Sequence, residues 1–146
     1  MHCTIVGAPI QAGSGRMGCE MGPSALRTAG LAGALTELGH TLTDLGTIVP
    51  ADMRPVVHGN AAVKALPEIA AWTAAISETA YAASADAMPI FLGGDHSISA
   101  GTLAGIARPG GESAPPRLGG GVGGPPRFYK HATPDTGQFQ GVAPGI

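Results

Sequence analysis

Charge is scarce in this chain, and positive charge scarcest. Eight Lys and Arg stand against ten Asp and Glu in 146 residues. With no basic surplus to neutralise phosphates, the composition argues against a nucleic-acid partner. Cysteine is nearly absent as well. Cys3 and Cys19 form neither a disulfide framework nor a C-x-x-C pair, which excludes a zinc ribbon and a thioredoxin-type site. No apolar run approaches bilayer length, because Glu78 and Asp86 interrupt the Ala-rich stretch. The opening residues Met1 to Val6 lack the charged and apolar regions of a signal peptide. These absences predict a cytoplasmic protein with no membrane partner. Aromatic side chains are also few, at 4%, so a core must rest on close helix–sheet packing rather than on large rings.

Glycine and proline are what the chain has in excess, and the excess is uneven. Residues 1–108 hold 14 Gly and 6 Pro, whereas the 38 residues 109–146 hold 10 Gly and 7 Pro. Such a density disfavours helix and central strand, through glycine's entropy and proline's missing donor. The chain therefore divides into a domain-like part, residues 1–108, and a Gly/Pro-rich tail, residues 109–146.

The first part alternates strand and helix. Cys3 to Val6 reads as a short buried strand running into Gly7-Ala8-Pro9. After a loop over 10–22, Pro23 suits the first helical position, and Gly39 suits the stop of a single helix. Leu26, Ala29, Ala32, Gly33 and Leu35 would form its buried face. His40 to Ile48 reads as a second strand. Residues 60–85 read as a helix divided by Pro67, with Trp72 and Ile76 on its buried face. Met88 to Leu92 is a third, apolar strand, and 97–107 a further helix. This order predicts an α/β domain with a mainly parallel sheet. Ligands in such sheets bind beyond the carboxyl ends of strands, which singles out the loops 7–22 and 93–97.

Gly13-Ser14-Gly15-Arg16-Met17-Gly18 has G-x-G-x-x-G spacing. A dinucleotide site needs these glycines at the strand end with a helix opening inside them. Here the strand ends near Val6 and the helix begins near Pro23, so the segment reads as a loop, either at an active site or plain. Gly93-Gly94-Asp95-His96-Ser97 is the sharpest local feature. Two glycines allow a tight turn that presents an Asp and a His at a strand's carboxyl end. His96 is either a metal ligand with Asp95 orienting it, or a polar residue beside a helix cap made by Asp95 or Ser97. His2, His40, His58 and His131 read as solvated or structural.

Three segments together resemble the ureohydrolase family, which contains arginase, agmatinase and formiminoglutamase. They are Val6-Gly7-Ala8-Pro9 with Gly15 to Arg27, including Gly22-Pro23-Ser24-Ala25-Leu26-Arg27; Leu38-Gly39-His40 with Asp44-Leu45-Gly46; and Phe91 to Ser97. They cover about residues 3–107, and the wording of the first is most similar to bacterial arginases. The resemblance implies a three-layer α/β/α fold, here truncated. It also implies a two-ion manganese centre and hydrolysis of arginine to ornithine and urea. A guanidinium carbon is a poor electrophile, and metal-bound water supplies the strong nucleophile it needs. His96 would be a metal ligand, Asp95 would orient it, and Arg16 would lie on the active-site loop. Agmatinase is the alternative activity.

The same resemblance places an Asp-x-His-x-Asp motif in the tail, where this chain has Gly123, Pro125 and Arg127. Thr136 and Gln138 fall on the family's substrate loop, with Gln140 at a position of His. Neither glycine nor proline has a side chain that can bind a metal, and Arg127 would repel one. The expectation is a chain inactive by itself, a non-catalytic fragment or the product of a decaying gene, without the family's homo-oligomeric assembly.

Overall fold

The computed structural model describes residues 1–51, 53, 55–57, 59–60 and 64–108, and the backbone of 130–132 and 139–141. Three strands form one parallel sheet: β1 (His2–Ala8), β2 (Thr41–Thr47) and β3 (Met88–Gly93), in the order β2-β1-β3. β1 lies at the centre, paired on both sides, and is the most buried of the three strands, from Cys3 to Ala8. Its register puts Ile5 against Asp44 of β2 and Ile90 of β3, with an irregularity toward β2 between Ile5 and Gly7. Lys130–Ala132 and Phe139–Gly141 pair as antiparallel strands β4 and β5, a pairing not anticipated above. Among the described residues, no helix is long and apolar enough to cross a membrane.

Four helices complete the domain: α1 (Gly22–Thr28), α2 (Leu31–Glu37), α3 (Leu66–Ala83) and α4 (Ile98–Ile106). Successive residues of a strand point to opposite faces, which shows how the helices are layered. A Cβ on Gly7 would lie 3.2 Å from Pro23 in α1. The next residue, Ala8, packs instead with Trp72 and Ile76 of α3. Helices therefore cover both faces, and the α/β/α layering holds.

Two helix boundaries differ from the sequence reading. The expected helix from Pro23 to Gly39 is broken, because Gly30 takes a left-handed φ of 88° and separates α1 from α2. Its expected buried face is also open. Leu26 is 44% exposed, and Ala29, Ala32 and Gly33 are exposed. The neighbouring β2 is half-buried at best along its length, so it gives α2 little to pack against. Pro67, in turn, opens α3 instead of dividing a helix, since its missing N–H lies in the first turn.

α4 lies against α3 through two glycines. A Cβ on Gly101 would come 2.7 Å from Ile76, and one on Gly105 would meet the Ser77 carbonyl and come 2.7 Å from Ala80. Gly105→Ala should therefore destabilise. Overpacking costs up to about 3 kcal/mol, against about 1 kcal/mol recovered from alanine's helix propensity. A net loss of about 1–2 kcal/mol is expected in urea-unfolding midpoints. Arg108 fastens the end of this pair, bonding Glu78 of α3 and lying 5.0 Å over the Tyr81 ring.

The other face is fastened by Arg27 of α1. Its Nε and Nη2 each donate to the Asp44 carboxylate at 2.8 Å, and Nη2 also donates to the Gly46 carbonyl at 2.7 Å. The Arg27 guanidinium, aided by the Gly46 N–H, holds the Asp44 carboxyl below its ordinary value. A depressed carboxyl stabilises the fold above its unfolded pKa and loses that contribution as pH falls through the folded one. Asp44→Asn should thus lower stability at pH 7 by less than about 1 kcal/mol, the scale of a solvent-screened pair. The difference should shrink in unfolding curves as pH falls below the ordinary carboxylate range.

Candidate active site

The strand order sets the site. The chain leaves β1 toward β2, then returns across it to β3, so the topological switch lies between β1 and β3. The crevice beyond the carboxyl ends at such a switch is where ligands bind in α/β sheets. The two loops that enter it here are 9–22, after β1, and 94–97, after β3.

The two loops are joined through backbone and one carboxylate. The Asp95 N–H donates to the Ile10 carbonyl at 2.7 Å. Asp95 Oδ2 accepts the Gly13 N–H at 2.8 Å, across 82 residues of sequence. Asp95 Oδ1 accepts the Ser97 N–H at 2.8 Å and also the Ser97 hydroxyl. Asp95 is buried, at 9% exposure, so these bonds compensate a charge withdrawn from most of its water. The approach is close enough to require glycine. A Cβ on Gly94 would overlap the Ile10 carbonyl, and one on Gly22 would meet the Gly93 carbonyl.

Within loop 9–22, Gln11 Oε1 accepts the Gly18 N–H at 3.1 Å. Ser14 Oγ accepts the Arg16 N–H at 3.0 Å and lies 2.9 Å from the Gln11 carbonyl oxygen. Gly15 and Gly18 take left-handed φ of 63° and 99°, the turns this loop needs. Arg16 is exposed and lines a shallow depression of about 280 Å³ with Gln11, Met17 and Glu68.

Both strand-end loops singled out by sequence are therefore brought together. Asp95 clamps one loop to the other and opens α4, with its carboxylate directed at N–H and O–H donors. Ser97 is the residue before α4 but makes no side-chain bond to the helix. His96 is exposed at the turn after β3. Arg16 lies across the junction, on loop 9–22. Gly123, Pro125, Arg127, Thr136 and Gln138 lie outside the described residues, and Gln140 falls in β5. Gln11 and Ser14 were missed as loop organisers. The signal available for them was the two-residue spacing Ser14-x-Arg16, which repeats in Asp95-x-Ser97.

Among the described residues, no group of three or more His, Cys, Asp or Glu side chains could hold a metal ion. Asp95 is committed to other partners, which leaves one imidazole, His96, from the expected ligand set. These residues do not fit a two-ion manganese centre.

Comparison with known proteins places this geometry. A model of the arginase family matches residues 1–114. The arginase of Brucella melitensis is 59% identical over 108 residues, covering 74% of this chain and 35% of that one. The arginase of Agrobacterium fabrum is 51% identical over 108 residues, with 73% and 33% covered. The crystal structure of Bacillus subtilis arginase superposes with a TM-score of 0.62 at 33% identity, covering 74% of this chain and 34% of that one. The chain spans about a third of the length of the relatives it matches. With a family model covering more than half of its residues, the chain belongs to the arginase family.

Proposed function

We propose that this chain carries one side of an arginase-type active site. In this reading the reaction of the complete domain is manganese-dependent hydrolysis of L-arginine to L-ornithine and urea, in the cytoplasm. The 146-residue chain does not perform that reaction alone. The observation that carries both halves is the strand-end junction. It lies in the segment that is 59% identical to an arginase, and among the described residues no group of three or more metal-binding side chains forms there.

This reading gives each residue of the junction a role. Asp95 holds loop 9–22 in place, His96 is the side chain offered to a metal, and Arg16 stands on the loop that borders the crevice. Thr136 and Gln138 remain the proposed substrate contacts of the tail. Arginase is favoured over agmatinase because the relatives named above are arginases. The purified chain, incubated with arginine and manganese, should release no urea above a protein-free control. Urea release proportional to chain concentration would refute the proposed inactivity.

A further inference from the structure

Gln11, Ser14 and Asp95 each find a hydrogen-bond partner in or across loop 9–22. Glu20 does not. It lies in the single 3-10 turn Cys19–Met21 that leads into α1. Its Oε2 is fully buried, and among the described residues it has neither a hydrogen-bond donor nor an ion-pair partner. A carboxylate oxygen withdrawn from water without a donor is costly. A ligand that supplies the donor removes that cost.

Glu20 heads a shallow groove of about 760 Å³ along one face of α1. Met21, Ser24, Ala25, Thr28 and Ala29 line the rest of it. Positions 21, 24, 25 and 28 share a face because they follow the helical spacing i, i+3, i+4, i+7. The lining is therefore a thioether and methyl groups with two hydroxyls, and Glu20 is its one charge. Met21 is 64% exposed, so an apolar group laid along the groove would cover it. An apolar concavity of about 300–1,000 Å³ with a few fixed polar groups is the usual form of a small-molecule site.

We propose that this groove binds a small organic cation, an alkylammonium ion. Its N–H groups would donate to Glu20 Oε2, and its hydrocarbon chain would lie against Met21, Ala25 and Ala29. Charge selects the class, since an ammonium carries three donors and no acceptor, whereas an anion would be repelled. The geometry favours an ammonium over a guanidinium. A guanidinium fork engages both oxygens of a carboxylate, and Oε2 is the one that is buried without a donor. The groove contains none of residues 94–97, so the test below is independent of the functional reading above.

The test is titration of the full 146-residue chain with n-hexylammonium chloride, followed by backbone amide shifts in NMR. Saturable shifts centred on Glu20, Met21, Ala25 and Ala29 are expected. n-Hexanol and hexanoate, of the same chain length, should bind at least about tenfold more weakly, as should n-hexylammonium to Glu20→Gln. Ala25→Trp, which fills the groove, should abolish the shifts at Glu20. If Glu20→Gln does not fold, the comparison of the three ligands on the unmodified chain decides. No saturable shift with n-hexylammonium, shifts centred away from α1, or equal binding of n-hexanol would each overturn the inference.

Discussion

Gly94→Ala is expected to be among the most damaging single-methyl additions to this chain. The added carbon would overlap the Ile10 carbonyl oxygen, and would lie 2.9 Å from the Ile10 carbonyl carbon and 3.0 Å from the Cys19 carbonyl oxygen. All three are backbone atoms, so no side chain can rotate away. The shift that makes room must stretch the bond from the Asp95 N–H to the Ile10 carbonyl. Overpacking of this kind, with a weakened hydrogen bond, costs about 3 kcal/mol. In a domain of this size that is a fall in Tm of about 15 °C. Gly33→Ala is the contrast. Gly33 lies inside α2 with nothing within 4 Å of its would-be Cβ. Alanine's helix propensity should raise stability there by up to about 1 kcal/mol. Thermal melts of the two variants should therefore move in opposite directions, and a Gly94→Ala protein melting with the parent would contradict the close approach of the two loops.

Asp95→Ala should act on the loop more than on the sheet. It leaves the Gly13 and Ser97 N–H groups and the Ser97 hydroxyl without their shared acceptor. A hydrogen bond to a charged group contributes about 1.5–3 kcal/mol, so the whole loss should be several kcal/mol at most. The part that falls on loop 9–22 is the Gly13 bond. About 1.4 kcal/mol is a factor of ten in an equilibrium, so the open form of the loop should become at least about tenfold more populated. Arg16, exposed in that loop, is a trypsin site placed to report it. Cleavage after Arg16 should accelerate by that factor in Asp95→Ala, while cleavage after Arg27, held by Asp44, should change much less. Equal acceleration at both sites would mean general unfolding, and none at Arg16 would remove Asp95 as the clamp.

What was legible in the sequence was the part written in local patterns. The buried runs before Gly7 and Gly93, the strand-like stretch from His40 to Ile48 and the helical periods between them yielded three parallel strands and the two loops that meet at the ends of the first and third. Long-range and conformational features were not legible. The bond from Gly13 to Asp95 joins residues 82 positions apart, and no local pattern announces it. Gly30 is one of several glycines in a helical stretch, and only its left-handed φ of 88° marks it as the break between α1 and α2. Pro67 misled for a related reason. A proline that would interrupt a helix interior is well placed at its start, and periodicity alone did not fix where α3 begins. Apolar spacing in α2 suggested a buried face, but burial depends on what lies opposite, and β2 offers three threonines, an aspartate and an exposed leucine. At the site, the Gly-Gly-Asp-His-Ser turn was legible as a place, yet the choice between metal chemistry and capping was not. In the structure Asp95 opens α4 through the Ser97 N–H and has a second role that neither idea included: through Gly13 it fixes the neighbouring loop.

In the proposed reading this chain holds one side of a metal site and does not complete it unaided. Manganese titration followed by electron paramagnetic resonance decides the point, because free hexa-aqua manganese gives a sharp signal that binding broadens. The free-ion signal is expected to grow with added manganese as it does in buffer. Stoichiometric loss of signal, with two ions taken up per chain, would refute the proposal.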